Sequence, residues 1–93
     1  ACAEYEAALD RLPRWNTEGR AEVLVWLALA HHQAGEPEEV SRRAEEAVAL
    51  KPGTELLMTA HSVAGIGYST RGRLDEAEAH RQTAFDLAIA SGN

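Results

Sequence analysis

The sequence predicts an all-α fold, an alpha-alpha superhelix. It would be a solenoid of five antiparallel helices in about two and a half repeats. A recurring spacing carries that prediction. The run Leu24-x2-Leu27-Ala28-x2-His31-x3-Gly35, continued by Val40-x3-Ala44-x2-Ala47 and Pro52, returns further on. There it reads His61-x2-Ala64-Gly65-x2-Tyr68-x3-Gly72 and Ala77-x3-Arg81-x2-Ala84. A partial copy, Ala1-x3-Tyr5-x2-Ala8 closed by Pro13, opens the chain. Gly35 to Gly72 and Ala47 to Ala84 are 37 residues; Ala8 to Ala47 and Pro13 to Pro52 are 39. Glycine and proline punctuate the copies at matching places. Self-similarity at such a period marks stacked helical hairpins that bury each other's faces.

The elements follow in order. Helix one runs from Ala1 to about Leu12 and stops at Pro13, which lacks a backbone donor and disfavours helix just before it. Thr17 is the candidate N-cap of helix two, which reaches about Ala34 before Gly35 lets the chain turn back. Pro37 suits the first turn of helix three, where Glu38 and Glu39 meet the positive end of the helix dipole. Lys51-Pro52-Gly53 ends that helix near Leu50, Thr54 is the candidate cap of helix four, and Gly72 closes it after Thr70. Helix five spans about Leu74 to Ala90, with Ser91-Gly92-Asn93 as its terminator. The apolar run Val23 to Ala30 could be taken for a buried strand, but its alanines and context favour a helix covered on several sides. Gly65 stands where Ala28 stands one copy earlier and is assigned to close helix packing; Gly67 receives no assignment.

The whole chain forms one domain, with residues 1–13 the second helix of a partial repeat, 17–52 one repeat and 54–93 the next. Because it opens inside a repeat, it is expected to be a piece of a longer protein. Net charge is −6, and its eight arginines are interleaved with carboxylates, so the basic stripe that nucleic acid requires is missing. The longest apolar run is eight residues, against about 20 for a membrane span. Cys2 is the only cysteine, which excludes an intrachain disulfide and agrees with a reducing, cytoplasmic setting.

These spacings resemble the tetratricopeptide repeat, whose pattern is Trp-x2-Leu-Gly-x2-Tyr, then Gly, Ala-x3-Phe, Ala and Pro. The stretch from Arg73 to His80 is its most typical segment. Departures are the longer period, His31 in place of tyrosine, Ala44 and Arg81 in place of a large aromatic, and Ile89 in place of proline. Longer alanine-rich repeats of this kind are similar to those of kinesin light chains and large bacterial regulators. The resemblance implies that helices two and four line a concave groove. In that register its residues are Glu22, Val25, Leu29, His32 and Gln33 on helix two and Thr59, Ser62, Ile66, Ser69 and Thr70 on helix four. Their i, i+3, i+7, i+10, i+11 spacing keeps each set on one helix face.

The expected function is a non-enzymatic scaffold that binds a protein or peptide segment in this groove, within a larger bacterial regulatory protein. The alternative is a sensor for a small molecule or signalling peptide, and a solvated surface without a ligand is the bland reading. The basic clamp by which some relatives hold an acidic chaperone tail is absent: Val25 and Leu29 stand there. No cofactor or metal is expected, since His31 and His32 point about 100° apart and no His-Glu-x2-His spacing occurs. Glu36, Glu38, Glu39, Glu45 and Glu46 read as a helix start and a solvated face, and no activated nucleophile is visible. Uncapped end helices are expected to leave apolar patches at Tyr5 and Leu9 or at Phe85 and Leu87, open to self-association.

Overall fold

The computed structural model of the chain describes Cys2 to Gly92, so the expected termini at Ala1 and Asn93 lie outside the described residues. Five helices follow one another: α1 (Cys2–Arg11), α2 (Thr17–Gln33), α3 (Pro37–Ala49), α4 (Thr54–Thr70) and α5 (Leu74–Gly92). There is no strand among the described residues, and Val23 to Ala30 is the middle of α2.

Two caps differ from expectation by one residue. Asn16, not Thr17, caps α2, its side-chain oxygen accepting the Gly19 N–H at 3.0 Å. A capping oxygen must precede the first helical residue to reach a free N–H three positions on, and Thr17 is already inside the helix. Likewise Gly53 sits at the cap of α4 and Thr54 begins it. The Glu18 carboxylate of α2 accepts the Gly53 N–H at 2.9 Å, placing negative charge at the positive end of α4.

The hairpin turns repeat as the glycines suggest. Gly35 and Gly72 have φ of +75° and +77°, the left-handed region where a side chain costs about 1–2 kcal/mol. Each turn closes with the same pair of bonds: Gly35 N–H to His32 O and Glu36 N–H to His31 O, then Gly72 N–H to Ser69 O and Arg73 N–H to Tyr68 O.

The core is built from small and medium side chains: Leu24, Val25, Ala28, Val40, Ala44, Ala47, Ala60, Val63 and Ala64 are buried together. Helices lined in this way approach closely. A Cβ on Gly65 would lie 3.4 Å from the Ala77 carbonyl oxygen of α5, which fits its assignment to packing. Gly67 is tighter, because a Cβ there would stand 2.7 Å from the Ser41 backbone nitrogen of α3.

Each helix packs on the next, and α2 also meets α4; among the described residues α5 reaches neither α1 nor α2. The result is a flat body of 34 × 30 × 16 Å. At its edge, α1 carries no buried residue among those described. It is held by the Arg20 guanidinium, which donates to the carbonyls of Leu9 and Leu12, both at 3.1 Å, and so satisfies the free end of α1. No described helix is long and apolar enough to cross a membrane.

Candidate functional site

Of the ten residues expected along one groove, Val25 is the exception to exposure. It is 2% exposed, because α4 lies on that face of α2 and takes it into the core. The other nine are exposed, and eight of them divide among three separate clefts. Glu22 and Thr59 share an opening of about 310 Å³ with Glu18, Glu55 and Leu56. Leu29 and Gln33 line a second, of about 360 Å³, with Tyr5 and Trp26 between α1 and α2. Ser62, Ile66, Ser69 and Thr70 line a third, of about 410 Å³, completed by Gly65 of α4 and by Ala77 and Arg81 of α5. His32 lines none of these three. A larger opening of about 690 Å³, between the start of α3 and the α4–α5 turn, carries charges of both signs: Glu36, Glu38 and Glu39 against Arg71 and Arg73.

The α4–α5 cleft has an internal counterpart. Moved back by 37 residues, Ser62, Gly65, Ala77 and Arg81 fall on Val25, Ala28, Val40 and Ala44. Those four are buried in the core where α4 packs on α2 and α3. The same shift takes Phe85 to Val48 and Ile89 to Pro52. Val48 packs against the core and Pro52 is buried, whereas Phe85 and Ile89 are 60% and 58% exposed. Of the surface equivalent to the one that seats α4, Ser62, Arg81, Phe85 and Ile89 are thus open to solvent, while Gly65 and Ala77 are buried between α4 and α5. Of the apolar patches expected at the ends, the one at Phe85 is exposed, while Leu87, Tyr5 and Leu9 are half-buried.

No family model, curated protein or solved structure matches the chain. Its reading therefore rests on this geometry.

A polar network joins α3, α4 and α5. One oxygen of Glu45 accepts the Tyr68 hydroxyl at 2.8 Å and the His80 Nε2–H at 2.9 Å. That bond places the proton of a neutral His80 on Nε2 and leaves Nδ1 as an acceptor, so the His61 Nδ1–H donates to it at 2.8 Å. The Tyr68 ring stacks on His80 at 5.6 Å, and the Arg71 and Arg73 guanidiniums lie 5.4 and 5.9 Å from its centre. Burial, reinforced by His80, holds His61 below its ordinary 6.5, with Glu45 pulling the other way. The hydrogen bond to Glu45, with burial, pushes Tyr68 above 10. His61 and His80 lie on different helices, 19 residues apart, and packing of α5 on α4 joins them.

The signal that could have paired His80 with Glu45 is the repeat register. A second bridge, Arg43 of α3 to Glu6 of α1 at 3.2 Å, moves onto His80 and Glu45 under the two repeat shifts of 37 and 39. A separate cluster was also hidden in sequence. Cys2, His31 and Glu36 bring Sγ, Nδ1 and a carboxylate oxygen within 4.8 Å of one another. Its members meet only in the fold, since Cys2 arrives beside His31 from α1 and Glu36 from beyond the Gly35 turn.

Proposed function

We propose that the protein is a non-enzymatic interaction module, a tetratricopeptide-like stack whose α4–α5 face receives a helix from a protein partner. One observation carries the reading: the positions that seat α4 on α2 and α3 recur one period later around a cleft where Ser62, Arg81, Phe85 and Ile89 are exposed and only Gly65 and Ala77 are buried. Two layers, α2 and α4 against α1, α3 and α5, account for the flat shape and for the equivalent bridges Arg43–Glu6 and His80–Glu45. The module would serve within a larger regulatory protein.

The chemistry of the face describes the occupant. Buried Gly65 and Ala77 make a shallow floor, Phe85 and Ile89 ask for apolar side chains, and Ser62 and Ser69 offer hydroxyls. Thr70 already donates to the Ile66 carbonyl, while Arg81, paired with Glu78, has further N–H groups for a carboxylate. An amphipathic helix with small residues along its contact line meets those demands. The small-molecule sensor loses ground, because the polar groups it would use (Glu22, His32, Gln33, Ser62 and Ser69) are not gathered in one cavity.

Selection of displayed peptides on the 93-residue chain tests this. Selected ligands are expected to be helical when bound, to shift the amides of Ser62, Ile66, Ser69 and Ala77, and to lose affinity with Ser62→Arg. Ligands that map to the Tyr5–Trp26 cleft would contradict it. So would a dimer, dispersed by Phe85→Glu, that fills the same face with a second copy.

A further inference from the structure

We propose that Cys2, His31 and Glu36 bind a single zinc-class transition-metal ion, which pins the start of α1 to the α2–α3 turn. This inference is independent of the α4–α5 face. Cys2 stands on the first turn of α1, His31 on the last turn of α2, and Glu36 just beyond Gly35 at the cap of α3. The His31 residue is only 7% exposed, so packing sets its ring, and its Nδ1 faces both other donors. Cys2 Sγ is 3.7 Å from Nδ1, and Nδ1 donates to Glu36 Oε1 at 2.7 Å.

One of those separations already stands near what an ion needs, and the other is short of it. Tetrahedral zinc, at about 2.3 Å from sulfur and about 2.0–2.1 Å from nitrogen and oxygen, sets sulfur and nitrogen about 3.5 Å apart and nitrogen and oxygen about 3.3 Å apart. The first pair already stands near that value. The second must open by about half an ångström, and the Glu36 side chain, 54% exposed, is free to withdraw. Solvent on the Glu36 side supplies a water as fourth ligand. A thiolate, imidazole and carboxylate set suits zinc or cobalt(II) and discriminates against magnesium and calcium, which prefer oxygen throughout.

Binding balances simply. The thiol proton leaves, and the Nδ1 proton is exchanged for one on Nε2, so each ion releases one proton to solvent. Thiolate and carboxylate together neutralise its two positive charges. The His31 Nε2 is buried and has no hydrogen-bond partner among the described residues. No outer carboxylate therefore reinforces the ring, and because such partners are worth about 10–100-fold in affinity, the site should be one of modest strength. Its consequence falls on α1. Arg20 holds that helix at its C-terminal end, and the ion would hold the other.

The test is a titration of the 93-residue chain with cobalt(II), the thiol kept reduced by a phosphine, followed by displacement with zinc. One cobalt per chain is expected, with the intense absorption of a sulfur-to-cobalt charge transfer, abolished in Cys2→Ala and weakened by about tenfold or more in Glu36→Gln. Zinc should slow hydrogen exchange of the α1 amides in the parent chain and not in Cys2→Ala. Failure to bind cobalt, or cobalt bound without the sulfur band, would overturn the proposal. Binding kept in Cys2→Ala but lost in His80→Asn would overturn it too, by placing the ion at the His61–His80 pair. An ion shared between two chains would do the same.

Discussion

A methyl group at Gly67 would meet the Ser41 backbone nitrogen at 2.7 Å and the Pro37 carbonyl oxygen at 3.1 Å. Backbone atoms of a packed helix cannot rotate aside, so Gly67→Ala should lower stability by about 1–3 kcal/mol, although alanine alone favours helix by about 1 kcal/mol. At Gly65 the nearest obstacle is the Ala77 oxygen at 3.4 Å, and Gly65→Ala should stay within about 1 kcal/mol of neutral. Urea midpoints of the two variants check this, and the opposite order would mean that α3 and α4 lie farther apart than described. Spacing alone could not rank the two glycines. It aligned Gly65 with Ala28 and left Gly67 without a reason, since no period reveals which backbone stands opposite a residue. His61 has a pH consequence. Its folded pKa lies below the ordinary 6.5, so near that pH the unfolded chain takes up a proton that the folded chain does not. Stability should be full above that value and fall as the pH drops through it, until the folded pKa is passed. Urea midpoints should therefore decline from about pH 8 to about pH 5, and His61→Gln should flatten that slope. The lowered carboxyls Glu39 and Glu76, paired with Arg42 and Arg73, act only below their ordinary 4.5. An unchanged slope in His61→Gln would show that the buried pair with His80 does not form.

Among the elements, α1 is the least anchored. With no buried residue described, it rests on Leu9 packed against the core, the Arg20 guanidinium at its C-terminal end, the Arg43–Glu6 pair, the Cys2–His31 contact and the Tyr5–Trp26 ring contact at 6.1 Å. Arg20→Ala strands the Leu12 carbonyl just past α1 and leaves the Leu9 carbonyl only the Leu12 N–H at 3.3 Å, at a cost of about 1–3 kcal/mol. Hydrogen exchange should then quicken first in Cys2–Arg11 while α3 and α4 keep their protection. Uniform quickening over all five helices would instead make α1 part of the common core. Element order and extent were legible in the sequence, because glycine, proline and the apolar period act within one or two turns. Helix starts were less so: Thr17 and Thr54 are good capping types, yet Asn16 and Gly53 hold those places. At Gly53 the partner is Glu18, 35 residues away, a relation that no local rule contains.

For the whole molecule, the account turns on an open succession of helices. Each packs on its neighbour, α2 reaches α4, and α5 keeps a face that nothing else in the described chain covers. The candidate surface was only half legible for a related reason. Helical spacing puts Ser62, Ile66, Ser69 and Thr70 on one face, and the four line one cleft. Whether they continue into Leu29 and Gln33 depends on how α2 and α4 cross, and that angle is set by core contacts such as Val25, not by either helix alone. Ser62, Gly65, Ala77, Arg81, Phe85 and Ile89 could form the proposed seat for a helix only while α5 stays clear of α1 and α2. Interhelical nuclear Overhauser effects on the methyl-labelled chain measure that arrangement directly. Contacts linking Leu24 and Val25 to Val63 and Ala64, together with contacts from α4 to α5, are expected, and none from α5 to α1 or α2. A set of contacts joining Phe85 or Ile89 to α1 or α2 would close the five helices into a bundle, bury the seat and contradict the account.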